Sequence, residues 1–134
     1  MRAINAAAAA ILKRILLIGN DEACFKIDNT KGLFMPVVVE HLGDIHIKGF
    51  GQASQYSIAH YFEQNGDLMA DPEMCFLAQN GIFYPYYFKQ DGGIPVEQIS
   101  MMFENGIHGN WKLQKDHTEF MQFWLNNIKE QQKL

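Results

Sequence analysis

The segment His60-Tyr61-Phe62-Glu63-Gln64-Asn65-Gly66-Asp67-Leu68-Met69-Ala70-Asp71-Pro72-Glu73-Met74 places four carboxylates and a histidine around one Asn-Gly turn. Oxygen ligands at that density suit a hard cation. Glu63, Asp67, Asp71 and Glu73 are therefore candidate ligands for Mg²⁺ or Ca²⁺, in preference to Zn²⁺. A two-residue turn at Asn65-Gly66 sets Asp67 opposite Gln64 and Asp71 opposite His60. In that register Asp71 can orient the imidazole, which makes His60 the candidate general base. The same residues also suit a plain solvated turn. Asn and Asp are turn formers, Asp71-Pro72 bends a chain, and Glu63 and Glu73 solvate strand ends. The spacing is not that of an EF-hand, which takes ligands at alternate positions and a terminal Glu.

Elsewhere the familiar catalytic patterns are missing. There is no Gly-x-x-x-x-Gly-Lys phosphate loop, no Gly-x-Ser-x-Gly elbow and no His-Glu-x-x-His pair. Gly49-Phe50-Gly51 lacks the third glycine and following helix of a dinucleotide site, and no acid stands two residues before a lysine. No cofactor is expected beyond a divalent ion at the carboxylate turn. Cys24 and Cys75 form no Cys-x-x-Cys pair and sit in apolar or strand-like runs, so both are expected as small buried hydrophobes. His41, His46 and His60 would bind zinc only if neighbouring strands turned all three to one face. His108 and His117 fall in loop or helix-start positions, and Trp111 and Trp124 are expected to anchor core. Tyr84, Tyr86 and Tyr87 form a row that suits either core or a protein contact surface.

The run from His60 to Met74 also resembles the signature of a family of small bacterial domains found on conjugative elements and phages. Its members read roughly His-Tyr-Tyr-Glu-Gln-Asn-Gly-Asp-Leu-Met-basic-Asp-Pro-Glu-Met. Phe62 stands here for a tyrosine and Ala70 for the basic residue. A looser similarity of strand and turn layout runs from about residue 32 to residue 87. The resemblance implies a cytoplasmic accessory protein of a bacterial mobile element. It brings no activity and no catalytic residues with it.

The elements that must position these residues are legible in the apolar spacing. Ile4, Ala8, Ile11, Ile15 and Ile18 recur at helical intervals, with Gly19-Asn20 as the stop. From about Cys24 to Lys89 the pattern shortens to strands. Phe25 and Ile27 alternate with polar neighbours, Asn29-Thr30-Lys31-Gly32 turns, Val37-Val38-Val39 is β-branched, and Ile45 to Lys48 alternates. A longer strand is expected from about Gln55 to Gln64. Gln64-Asn65-Gly66, Gln79-Asn80-Gly81 and Glu104-Asn105-Gly106 share the Asn-Gly pair that a type I′ turn favours. Closing at Asn80-Gly81 pairs Gln79 with Ile82, Leu77 with Tyr84 and Cys75 with Tyr86. Leu77, Tyr84, Tyr86 and Phe88 would then share one face, and Met74, Phe76, Phe83 and Tyr87 the other. Pro85 cannot donate to a ladder, so a bulge or an outward edge is expected there. Val96 to Phe103 reads as a short helix or a last strand. Asp116 and Glu119 have capping-box spacing, and Phe120, Trp124 and Ile128 form a stripe that frays into Lys129–Leu134. The expected fold is α+β: a meandering antiparallel sheet of about five to six strands, with an N-terminal and a C-terminal helix packed on it.

Composition bounds the function. The chain has 134 residues, is 48% hydrophobic and 13% aromatic, and suits one domain spanning residues 1–134. A net charge of −4 disfavours nucleic-acid binding, which needs cations to displace counterions. Lys13, Arg14, Lys112 and Lys115 are the residues that such a role would use. The apolar run from Ala6 to Leu12 is cut short by Lys13-Arg14, so neither a membrane span nor a cleaved leader is expected, and the cytoplasm is the default compartment. The leading expectation is a non-enzymatic interaction or regulatory domain binding a protein partner or itself. A metal-dependent, hydrolase-like enzyme built on residues 60–74 is the alternative, and a nucleic-acid accessory protein a weaker one.

Overall fold

An alanine-rich stretch loses little side-chain entropy in a helix, and Asn5 supplies its start. In the computed structural model, which describes residues 1–134, helix α1 spans Ala6–Gly19, with the Asn5 side chain accepting the Ala8 N–H at 2.9 Å. Asn20 ends it in the left-handed conformation at φ 47°. Ile4, Ala8, Ile11, Leu12 and Ile15 are buried as the spacing requires. Ile18 is 48% exposed, on the solvent side of a last turn whose Gly19 is buried.

Six strands follow in a plain meander: β1 (Cys24–Ile27), β2 (Val37–Ile47), β3 (Gly51–Gln64), β4 (Asp67–Gln79), β5 (Ile82–Gln90) and β6 (Val96–Ile99). Their order in the sheet is their order in the chain, and every pairing is antiparallel. The two tight turns are Asn65-Gly66 and Asn80-Gly81, with positive φ at both residues of each. Gln64 faces Asp67 and Gln79 faces Ile82, as expected.

The β4–β5 register departs from the expected one at Pro85. Leu77 faces Tyr84, but Cys75 faces Tyr87 because Tyr86 is an extra residue opposite the Cys75–Phe76 step. An inserted residue reverses the faces beyond it. Phe88 consequently packs with Met74, Phe76 and Phe83 on the helix side, and Tyr87 turns to the other face, the reverse of the expected assignment. The bulge leaves the Pro85 carbonyl free of the ladder, and the buried Gln114 amide donates to it at 3.1 Å.

Val96 to Phe103 resolves into β6 and the short strand β7 (Met101–Met102), which pairs with β8 (His108–Gly109). Helix α2 spans Trp111–Gln131. Its N-cap is Asn110, whose side chain accepts the Leu113 N–H at 3.1 Å, and not Asp116, which lies exposed within the helix. Nor does the end fray: Gln132 is fully buried. Met121, Trp124, Leu125 and Ile128 bury against α1 and the sheet, while Phe120 stays at the helix border, 36% exposed.

The main core lies between the two helices and one sheet face, formed by Ile27, Val37, Val39, Ile58, Met74, Phe76 and Phe83. A smaller cluster of Ile47, Ala53, Leu77 and Met101 fills part of the other face, where Tyr84, Tyr86 and Phe103 pack over it. Cys24 is exposed, contrary to expectation, because Phe25 and Ile27 take the inward direction in edge strand β1. Trp111 is 46% exposed at the first position of α2. No helix is long and apolar enough to cross a membrane.

Candidate functional site

The β3–β4 hairpin carries the carboxylate-rich segment, and the structure spreads its acids over three places. Glu63 and Asp67 stand exposed at the tip. Glu73 lies further down the arm, where its carboxylate accepts the Ser57 hydroxyl at 2.8 Å and the Tyr61 hydroxyl at 3.3 Å. Burial, and then the Glu73 charge, push the Tyr61 phenol up to about 12, so it remains a donor. Asp71 accepts from the Gln90 side chain. Asp91, at the end of β5, receives the Ala70 N–H at 2.7 Å, and its own N–H bonds the Ala70 carbonyl. No three of the His, Cys, Asp and Glu side chains stand where one metal ion could take them together.

His60 sits at a second bulge, where one residue of β3 faces the Asp71-Pro72 pair of β4. It is 7% exposed and donates from Nδ1 to the Pro36 carbonyl at 3.0 Å. The imidazole is therefore oriented by the backbone before β2, while Asp71 is engaged with Gln90. The other ring neighbour is Trp124, which meets it edge-on at 5.5 Å.

His60, Asp71 and Pro72 instead share a cleft of about 330 Å³ with Trp124, Asn127 and Gln131 of α2 and Phe34 and Met35 of the preceding loop. Two of its lining residues are apolar and open to solvent: Phe34 is 40% exposed and Met35 39%. An aromatic succession of Phe88, Phe120, Trp124 and His60, with adjacent rings 5.2–6.3 Å apart, runs along this flank of α2. Large apolar side chains grouped at the surface beside a few fixed polar groups are what a macromolecular contact uses. Sequence reasoning missed Phe34, Met35, Asn127 and Gln131. For Phe34 and Met35 the signal is the apolar Leu33-Phe34-Met35 run between a turn and a strand; Asn127 and Gln131 carry none.

The remaining candidates lie apart. Tyr84 and Tyr86 lean on the smaller cluster, and Tyr86 accepts from Gln55 at 3.2 Å. Tyr87 donates to Glu97 at 2.6 Å. Burial raises the phenols of Tyr86 and Tyr87, and for Tyr87 the Glu97 carboxylate adds to it. Burial also pushes the Cys75 thiol up to about 12, which keeps it protonated and unreactive. His41 bonds Asp44, His46 is exposed, and His60 lies on the cleft, so the three histidines do not form one zinc site. Lys13, Arg14, Lys112 and Lys115 are all exposed.

A family model described as a domain of unknown function, DUF6908, matches residues 6–134. No curated protein and no solved structure matches the chain.

Proposed function

We propose that this chain, which belongs to the DUF6908 family of domains of unknown function, is a non-enzymatic interaction domain that binds a protein partner at the cleft beside α2. The observation that carries the reading is the placement of His60, Asp71 and Pro72 on a cleft rimmed by exposed Phe34 and Met35. An apolar rim favours a hydrophobic anchor on the partner, and the bonded polar groups below it give direction. The acids of the segment are divided between tip, arm and cleft, an arrangement that suits a structural hairpin better than a metal-assisted hydrolase. The resemblance of His60–Met74 to domains of conjugative elements and phages supports a cytoplasmic accessory role on a bacterial mobile element.

The test is affinity capture with the full chain, comparing wild type with Phe34→Asp and Tyr87→Ala. One discrete protein, or a second copy of the chain, should be held by wild type and Tyr87→Ala. Phe34→Asp should weaken it about tenfold or more, as expected when an anchor side chain is removed. Loss with Tyr87→Ala alone would move the interface to the tyrosine row. Equal capture by all three would refute a role for either surface.

A further inference from the structure

A second concavity, of about 700 Å³, opens at the far end of β4 from the Asn65-Gly66 tip, beside the Asn80-Gly81 turn. Leu16 and Leu17 of α1, Phe25 of β1 and the ring of Tyr56 give it apolar walls. Its floor is rigid. His41 stacks on Tyr56 at 4.9 Å, and Tyr56 stacks on the fully buried Phe76 at 5.5 Å. Asp44 holds His41 through Nε2 at 3.0 Å and is itself held by the Ser54 hydroxyl at 2.7 Å.

The charged lining is of both signs. Lys13 lies on one side, with its ammonium beside Gly81, and Asp21 and Glu22 follow the end of α1. Lys115–Glu119 is the ion pair that a lysine or arginine makes within 4.0 Å, so Lys13 and the two acids share a cavity without neutralising one another. A simple anion would meet two carboxylates, a simple cation would leave Lys13 unanswered, and a hydrocarbon would leave all three. A single amino acid carries its two charges on one carbon and is small for this space. A cavity within the usual size range of small-molecule sites, with aromatic walls and separated opposite charges, fits a longer zwitterion.

We propose that this cavity binds a short peptide with free termini and an aromatic side chain, of dipeptide size. Its ammonium lies toward Asp21 and Glu22, its carboxylate toward Lys13, and its ring against Phe25, Tyr56 and His41. This site is independent of the cleft beside α2.

The test is an NMR titration of the full chain with phenylalanyl-phenylalanine and with its N-acetylated and C-amidated forms. The free dipeptide should give saturable shifts centred on Phe25, His41 and Tyr56. Each blocked form should bind about tenfold more weakly, the effect of removing one charge-assisted hydrogen bond. Lys13→Met should weaken the free dipeptide as amidation does and leave the amide unaffected; Asp21→Asn with Glu22→Gln should mirror acetylation. All three side chains are exposed, so the variants keep the fold, which the unperturbed remainder of the spectrum verifies. Absence of saturable shifts at these residues overturns the proposal. So does equal binding of the free and blocked dipeptides.

Discussion

His117 shows how much one side chain's surroundings decide. Gln98 Oε1 can only accept, so Nε2 of His117 carries the proton and donates to it at 3.0 Å, and Nδ1 accepts from the Ser100 hydroxyl at 2.8 Å. Both bonds belong to the neutral ring. Burial holds its pKa below the ordinary 6.5, outweighing the opposite pull of Asp116. An unfolded chain takes up that proton first as pH falls. The stabilisation is therefore full above the ordinary histidine value and is lost as pH falls from there through the lowered folded value. Melting temperature should decline across that interval, and His117→Gln should flatten the decline; an NMR titration of the ring reads the folded value directly. At the carboxylates, the division of Glu63, Asp67, Asp71 and Glu73 predicts that millimolar Mg²⁺ or Ca²⁺ leaves the melting temperature unchanged. A rise of several degrees, abolished in Asp67→Ala/Asp71→Ala, would put the metal-dependent reading first.

At the scale of elements, the bulges and the close approaches decide what faces what. Tyr86 inserted opposite the Cys75–Phe76 step turns Tyr87 outward and Phe88 inward, and His60 at the Asp71-Pro72 bulge reaches the cleft. The junction of α1 with β1 is equally tight. A Cβ on Gly19 would stand 2.1 Å from the Phe25 ring. Gly19→Ala should displace that ring and destabilise the protein by about 1–3 kcal/mol, the ordinary cost of overpacking. Urea denaturation measures it, and the same change at an open surface position should cost far less. Because Phe25 also walls the larger cavity, the variant should alter dipeptide binding as well.

For the whole molecule, the chain termini act as clasps. Gln114, fully buried, accepts the Arg2 N–H at 2.8 Å and donates to the Arg2 carbonyl at 2.7 Å, which fixes the N-terminus to α2. Gln132 does the same for the loop after β1, accepting the Asn29 N–H at 2.8 Å and donating to the Met35 carbonyl at 3.2 Å. That loop carries Phe34 and Met35, so the last residues of the chain hold one wall of the cleft. Gln132→Ala strands two backbone groups and should cost about 1–3 kcal/mol. Hydrogen exchange should quicken across residues 28–36 while β3 and β4 stay protected, and partner capture should weaken with it. Unchanged exchange in that loop would show that Gln132 does not brace the cleft.

The amino-acid sequence determined the local part of this protein. Apolar spacing, Asn-Gly pairs and the Asn20 stop are read by the backbone within a few residues, so α1, the meander of strands and the two tight turns are legible without tertiary information. That the ladder is interrupted by a bulge or an outward edge at Pro85 is legible too, because a missing N–H is a property of the residue alone; the register makes it a bulge at Tyr86. Tertiary structure decided everything that depends on distant partners. Capping-box spacing at Asp116 lost to Asn110, since the β7–β8 hairpin sets where α2 can begin. The exposure of Cys24 and Trp111, the separation of the four carboxylates and the meeting of Phe34, His60 and Trp124 all follow from strand register and helix docking. Phe34, His60 and Trp124 lie 26 to 90 positions apart in the chain, and no local pattern encodes their approach.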